Sequence, residues 1–362
     1  MSGRSKRRSS PLEGRADLAL ARELVLAHGR NATCYQILNP GFARWFSAEE
    51  DAVVGYVTAA GVRVVGGSPV CAPERLAQVV AAFEEDARRR RRRVCYFGAE
   101  EPLAEVLRER GPCDRLVLGA QPLWTPASLV RAFARKASLR GQVNRARNKG
   151  VAARRWPSDE AAGHPGLERC LAEWLATRGL PPMHFLVEPE TLERLEDRRV
   201  FVASREGEPV AFLVASPVPA RRGWLIEQIV RGEGAPNGAS ELLLQTAALE
   251  LAAHEARFLT LGLAPLSRRA GPAGSRPPWV IRFLLDRVRA HGRRFYDFAG
   301  LEAFKAKFLP DAWEPILAIS AETRFSLRSL CAIAGAFSGA SPLGFVARGL
   351  LRGLTRSLTR RR

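Results

Sequence analysis

Short β-branched runs separated by amphipathic helices occur twice along this chain, and such alternation must bury a sheet beneath helices. In the first block D-A-V-V-G-Y-V-T (51–58) and G-V-R-V-V-G (61–66) read as strands joined by the Ala59–Gly61 turn. G-G-S-P at 66–69 ends the second of them. A helix over 73–92 follows, with Leu76, Val79, Val80 and Phe83 on one face, then a strand at Val94–Phe97 and a helix at 101–110. A further helix over 16–28 precedes the block. After W-P-S-D at 156–159 the pattern returns: a helix at Glu168–Thr177, strands at Val200–Ser204, Val210–Ser216 and Trp224–Val230, a helix from Ala239 to His254, and a strand at Arg257–Gly262. The spacing predicts an α/β protein of two tandem lobes with mixed sheets, 16–155 and 156–322, after a basic arm over 1–15.

The sign of the charge points to the partner. Among 362 residues there are 56 Lys+Arg against 37 Asp+Glu, a net +19, so an anionic partner is expected: nucleic acid or an anionic membrane. At 46% hydrophobic and 26% charged, the chain is not a disordered tail. Cys34, Cys71, Cys95, Cys113, Cys170 and Cys331 show no C-x-x-C spacing, which predicts neither a zinc site nor a disulfide framework and a cytosolic setting. No apolar core of a signal peptide follows the basic arm. The uncharged stretch 329–347 is too rich in Ser, Gly and Ala for a span, and is expected to lie on a surface or be partly buried.

Three basic segments stand out. Arg88–Arg93 points all around a helix end and reads as a solvated, dipole-compensating cap. Segment 128–150 has seven basic residues and no acid; as a helix it stacks Arg140, Asn144 and Arg147 on one face, a phosphate-reading stripe. In the tail, 323–362, arginines recur at 348, 352, 356 and 360 opposite Leu350, Leu351, Leu354 and Leu358. That is a basic amphipathic helix suited to an anionic leaflet, where each arginine contributes about 1 kcal/mol.

Candidate chemistry lies in three stretches of the second block. W-L-I-E-Q-I-V-R-G-E-G-A-P-N-G-A-S-E (224–241) brings Glu227 and Arg231 towards a helix N-terminus carrying Asn237, Ser240 and Glu241. The residues alone leave open whether this is an anion site or an ion pair beside a turn. L-T-L-G-L-A-P-L-S (259–267) runs a strand into a loop ending at Ser267, followed by a basic stretch over 268–278. In R-R-F-Y-D-F-A-G-L-E-A-F-K-A-K-F-L-P-D-A-W-E (293–314) the aromatic residues are core, and Lys305 and Lys307 sit beside them in a reduced dielectric.

Together, G-G-S-P-V (66–70), L-R-G-Q-V-N-R (139–145), E-Q-I-V-R with A-P-N-G, L-G-L-A-P-L-S, and F-Y-D-F-A-G-L-E-A-F-K-A-K-F-L-P-D-A-W-E-P (295–315) resemble the C-terminal catalytic domain of the phosphatidylglycerol lysyltransferases. The resemblance covers roughly residues 30–320 and extends to the free-standing members grouped as a domain of unknown function, DUF2156. It implies two tandem acetyltransferase-like lobes that move an aminoacyl group from aminoacyl-tRNA to a lipid hydroxyl at the cytoplasmic membrane face. One departure stands out: Gln228 occupies a position where the family commonly has an acid.

Such a transfer needs a group to deprotonate the acceptor, a donor for the oxyanion and cations for two phosphate-bearing substrates. The resemblance assigns Glu227 to the hydroxyl or ammonium, Lys305 or Lys307 to the oxyanion, and Arg231 to phosphate. Arg140, Asn144 and Arg147 are left to grip the tRNA end. No metal and no cofactor are expected; aminoacyl-tRNA is the co-substrate and an anionic membrane the second partner. Two other readings stay open. An acyl-CoA-dependent acyltransferase has matches to its pyrophosphate loop at R-N-K-G-V-A (147–152) and R-R-A-G-P-A (268–273), and a non-catalytic RNA- or membrane-binding protein needs only the charge.

Overall fold

The computed structural model describes residues 11–177, 184–270 and 298–338. The arm's first ten residues, the end of the 268–278 stretch and the arginine–leucine tail helix lie outside them.

The first half begins with helix α1 (Pro11–His28) and a fully buried 3-10 turn, Cys34–Leu38. Strands β1 (Ala43–Phe46), β2 (Val53–Ala59) and β3 (Val62–Gly66) form an antiparallel meander, and helix α2 (Leu76–Arg89) crosses over to β4 (Arg93–Ala99), parallel to β3. Val79, Val80, Phe83 and Ala87 bury one stripe of α2. Helix α3 (Glu101–Arg110), strand β5 (Asp114–Trp124) and helices α4 (Pro126–Arg135) and α5 (Ala137–Asn148) follow. Segment 128–150 is therefore two helices, because Lys136 leaves the helical conformation at ψ 107°.

The second half repeats the scheme. Strand β6 (Val151–Trp156), the short α6 (Ser158–Ala161) and α7 (Pro165–Ala176) lead to β7 (Arg199–Arg205), β8 (Glu208–Val218) and β9 (Gly223–Arg231), all antiparallel. Helix α8 (Ala239–Ala253) then crosses to β10 (Phe258–Thr260), parallel to β9. Nine residues of α8 are buried over almost its whole circumference, as expected of a helix enclosed between α4, α5 and the sheet. The two-residue β11 (Ala264–Pro265), helix α9 (Phe298–Ala306), strand β12 (Ala312–Ser320) and helix α10 (Leu327–Ser338) complete the described chain.

The closing strands are exchanged. β5 leaves β4 to pair with β10, and β12, from the far end of the chain, fills the place between β4 and β5. A single sheet in the order β1-β2-β3-β4-β12-β5-β10-β9-β8-β7-β6 results, so residues 152–160 separate the halves in sequence only. Gly119 lets this junction close: at φ 148° a Cβ there would stand 2.2 Å from the carbonyl oxygen of Ala264 on β11.

Among the described residues no helix is long and apolar enough to cross a membrane. Within the expected tail, α10 is not a free surface helix; Ala332 and Ala336 are buried where it packs on β2 and β3. The arginine run behaves as a cap. Arg88 and Arg89 pair with Glu85, Arg90 with Asp86, and Arg93 with Glu322.

Candidate active site

The parallel crossovers differ between the halves. β3 and β4 stay paired over five positions, whereas β9 and β10 pair only from Gly223–Leu225 to Phe258–Thr260, after which β9 runs on to Arg231 paired with β8 but not with β10. The second half thus has a splay in its sheet, bounded by 226–231 on one side and 261–265 on the other. Ligands collect where strands part in this way.

Lys305 closes one wall. Its ammonium is buried and donates to the carbonyls of Leu261, Gly262 and Leu263 at 2.7, 2.8 and 2.8 Å. Burial pulls its pKa from 10.5 down to about 7. With three N–H groups already placed on three carbonyls, Lys305 has no spare donor for an oxyanion; it braces the turn at the splay. Lys307 reaches Glu241 at 2.5 Å and lies 4.1 Å from the Phe304 ring centre, so both charged groups are already partnered. Lys136 holds the Lys307 carbonyl and Trp124 that of Phe308, fixing the end of α9.

Glu227 is placed differently from the expectation. Val214 pairs with Gln228 and Ala215 with Ile226, leaving Glu227 as the extra residue of a β-bulge. Its carboxylate turns towards α1 and accepts from Nε and Nη2 of Arg198 at 2.9 and 3.3 Å, in a pair almost sealed from solvent. Arg198 also donates to Asn39 and lies over the ring of Tyr35, whose hydroxyl donates to Asp197, itself held by Arg22. Gln228 donates to Thr191 on the same side. Burial outweighs the nearby Arg198 and, with Asp197, raises the Tyr35 pKa well beyond its ordinary value.

The neighbouring Ile226 and Ile229 pack with Phe304 and Phe308 on the opposite face, where Lys305 lies. Arg231 belongs to that face too: it is exposed and donates to the carbonyl of Ala235, spanning the P-N-G turn. Glu227 and Lys305 are therefore not neighbours in one hollow, as the sequence reading has them. Two grooves of about 530 and 470 Å³ open on the described surface, and neither is lined by Glu227, Arg231 or Lys305.

The helix N-terminus at 237–241 is pressed against protein. Gly238 has φ 96°, and a Cβ there would fall 1.9 Å from the Gln142 carbonyl oxygen of α5. Asn237 is exposed, Ser240 is buried, and buried Ser267 accepts from the Arg269 N–H at 3.2 Å. Arg140, Asn144 and Arg147 are exposed on α5 beside this junction, with Arg147 donating to Gln245 of α8 at 3.1 Å.

Sequence reasoning missed a polar cluster where the halves meet. Glu100 accepts from the Ala32 N–H and from Gln121; Gln121 also donates to Glu314, which takes two bonds from Arg221 at 3.0 and 2.8 Å. Burial raises the Glu100 pKa; at Glu314 burial pushes up as well, but the Arg221 pair holds it below the usual carboxylate range. Its hydrogen-bonded partners are 21 to 193 residues apart in sequence, so no local motif announces it. Among the described residues no group of three His, Cys, Asp or Glu residues can hold a metal ion.

Two halves of like topology sharing a sheet, with the crossover splayed in one of them, define an α/β protein of two tandem lobes. The chain belongs to the phosphatidylglycerol lysyltransferase C-terminal family, whose profile matches residues 22–319, and with it to the acyltransferases. Its fold is similar to the crystal structure described as the C-terminal domain (DUF2156) of a lysylphosphatidylglycerol synthetase from Agrobacterium fabrum: TM-score 0.74, 22% identity, 90% of this chain and 98% of that one covered. L-PGS from Bacillus licheniformis gives a TM-score of 0.71 at 19% identity, covering 92% and 96%. A Bacteroides thetaiotaomicron protein of unknown function gives 0.60 at 14%, covering 84% and 97%. No curated protein sequence matches the chain.

Proposed function

We propose that the protein transfers an aminoacyl group from aminoacyl-tRNA to a hydroxyl, or an amine, of a membrane lipid such as phosphatidylglycerol. The observation that carries this reading is the family match across 22–319, which spans both halves and the splay. In the reaction the acceptor oxygen attacks the aminoacyl carbonyl and the terminal ribose oxygen of the tRNA leaves, so one ester replaces another. No cofactor and no covalent enzyme intermediate enter that balance.

Glu227 is committed to Arg198, so the proton-transfer role moves to Lys305: with a pKa of about 7, its neutral amine releases one of its three carbonyl contacts, turns its lone pair to the acceptor hydroxyl, takes that proton and returns it to the leaving oxygen. Arg231, at the open end of β9, is the candidate phosphate holder on the same face. Arg140, Asn144 and Arg147 extend that face as a cationic strip for the tRNA backbone. Peripheral attachment to the inner membrane face rests on the net +19 and on the basic tail, which lies outside the described residues.

An acyl-CoA donor finds less support. R-N-K-G-V-A (147–152) lies at the passage from α5 into β6, a helix-to-strand turn, whereas a pyrophosphate loop runs from strand into helix. The test is incubation with radiolabelled aminoacyl-tRNA and mixed lipids. Label entering the lipid phase is the expected result. Transfer that occurs only with acyl-CoA, or RNA binding with no transfer, overturns it.

A further inference from the structure

Helix α10 buries Ala332 and Ala336 against the sheet and turns Leu327, Cys331 and Ala334 outward, four and three residues apart and all exposed. A helix lying on a protein ordinarily shows water a polar face, yet of the twelve residues of α10 Arg328 alone is charged. Leu327, at 59%, is the most exposed large apolar side chain among the described residues.

Unpartnered cations gather where this stripe begins. Arg328 donates through Nε to the Ala60 carbonyl at 2.6 Å, and its guanidinium stands over Gly61 in the turn between β2 and β3. The Gly61 carbonyl accepts from the Arg93 N–H at 3.2 Å, which sets Arg91 and Arg92 beside the same turn. Arg93 pairs with Glu322 at 2.9 Å, two residues before Arg324. Arg91, Arg92, Arg324 and Arg328 are exposed, and none of them meets a carboxylate among the described residues, unlike Arg88, Arg89, Arg90 and Arg93.

Four uncompensated charges around an apolar stripe select what covers it. A second copy joined about a two-fold axis brings the same arginines to face one another, and the chain's own segment 339–362 brings more arginines, so both set like charge against like. An anionic surface is free of that cost. RNA is gripped by aromatic rings beside the cations, whereas the outward positions of α10 offer Leu, Cys and Ala; a bilayer takes these into its acyl boundary while its headgroups meet the arginines. Glu322 is also the last acid of the chain, so nothing beyond it repels such a surface.

We propose that the first turns of α10, with the turn between β2 and β3 and with Arg91 and Arg92, form the face of the fold that seats on an anionic bilayer. It rests on the membrane part of the reading above and adds the surface that meets the lipid. β10 and β12 are both antiparallel to β5, and β9 is parallel to β10, so β9 outruns β10 at the same end of the sheet at which β12 leads into α10. A bilayer at that end lies on the side towards which the splay opens.

The test attaches an environment-sensitive fluorophore to Cys331 of the full chain; Cys34, Cys71, Cys95 and Cys170 are buried, and the half-buried Cys113 is changed to serine. Vesicles of mixed phosphatidylglycerol and phosphatidylcholine are expected to shift the emission to the blue, and vesicles of phosphatidylcholine alone to leave it in place. Arg91→Gln with Arg92→Gln, which leaves α10 untouched, is expected to weaken vesicle binding at least about ten-fold. Arg145→Gln with Lys149→Gln, an equal change of charge on α5, is expected to weaken it less than about three-fold. Sedimentation with vesicles while the probe stays unmoved puts attachment in 339–362 alone and overturns the face. So does a shift caused by tRNA, a shift that grows with protein concentration without vesicles, or an equal loss from the two pairs of substitutions. A vesicle-dependent shift without aminoacyl transfer to any lipid keeps the face and overturns the transferase reading; transfer with an unmoved probe does the reverse.

Discussion

Arg198 grips Glu227 through two nitrogens, and the two side chains retain only 2% and 7% of their surface in solvent. The pair ties the 184–198 segment to the bulge of β9, and through Asn39, Tyr35 and Asp197 to the first half of the chain. Glu227 therefore belongs to the framework behind the splay.

Removing one partner of this pair strands a buried charge. Arg198→Ala is expected to lower unfolding stability by about 3–5 kcal/mol. Urea denaturation measures it, and an unchanged midpoint counts against the pair as a structural tie.

Lys305 makes stability depend on pH in a defined direction. Its folded pKa of about 7 lies below the ordinary 10.5, so between those values the unfolded chain binds a proton that the folded chain does not, and stability rises with pH. Buried thiols oppose this above about 9: burial pushes Cys71 up to about 11, so the folded state keeps protons the unfolded state gives up. Unfolding free energies at about pH 7 and pH 8.5 are expected to differ more in the unaltered protein than in Lys305→Met. A variant with the same slope refutes the depressed lysine.

Gly238 admits no side chain. With φ 96° and the Gln142 oxygen 1.9 Å from any Cβ, Gly238→Ala carries backbone strain of about 1–3 kcal/mol plus the cost of parting α8 from α5. Thermal melting checks it; Gly141, with nothing near its Cβ position, is the control site.

Arg140 and Arg147 are exposed, so changing both to alanine is expected to leave stability within about 0.5 kcal/mol. If they hold tRNA, affinity falls and the slope of log affinity against log salt shrinks by about 1 for each lost phosphate contact. Filter binding over a salt series reads both quantities.

Truncation separates the tail from the fold. Ending the chain after Ser338 is expected to keep the melting temperature while reducing sedimentation with anionic vesicles. Ending it at Glu322 also removes α10 from β2 and β3 and exposes the core around Ala332 and Phe337, so melting falls as well. Undiminished sedimentation of the shorter loss rejects the tail as the membrane anchor.

Much of the architecture was written locally. The meanders 51–66 and 200–230, helix α2 with its apolar stripe and α8 after P-N-G all follow from periodicity and turn residues. The most central strands, β5 and β12, did not, since Gly119 and Pro122 in one and Pro315 in the other break the pattern of a buried strand. Their positions are set by partners: the Ala264 carbonyl packed onto Gly119, and β12 lying across both halves.

The site divides along the same line. Motif order was enough to name the family, because five short segments in sequence need no coordinates to be compared, but it left Lys305 and Lys307 as equal candidates. The face each side chain takes was decided only in three dimensions. One extra residue in β9 turns Glu227 away from Lys305; Arg198, 29 residues away in sequence, uses up its charge, and Asn39, 188 residues away, holds that arginine in place. Periodicity reports which neighbours along the chain share a side; it carries no information about a bulge or a distant guanidinium, and those fix the chemistry here.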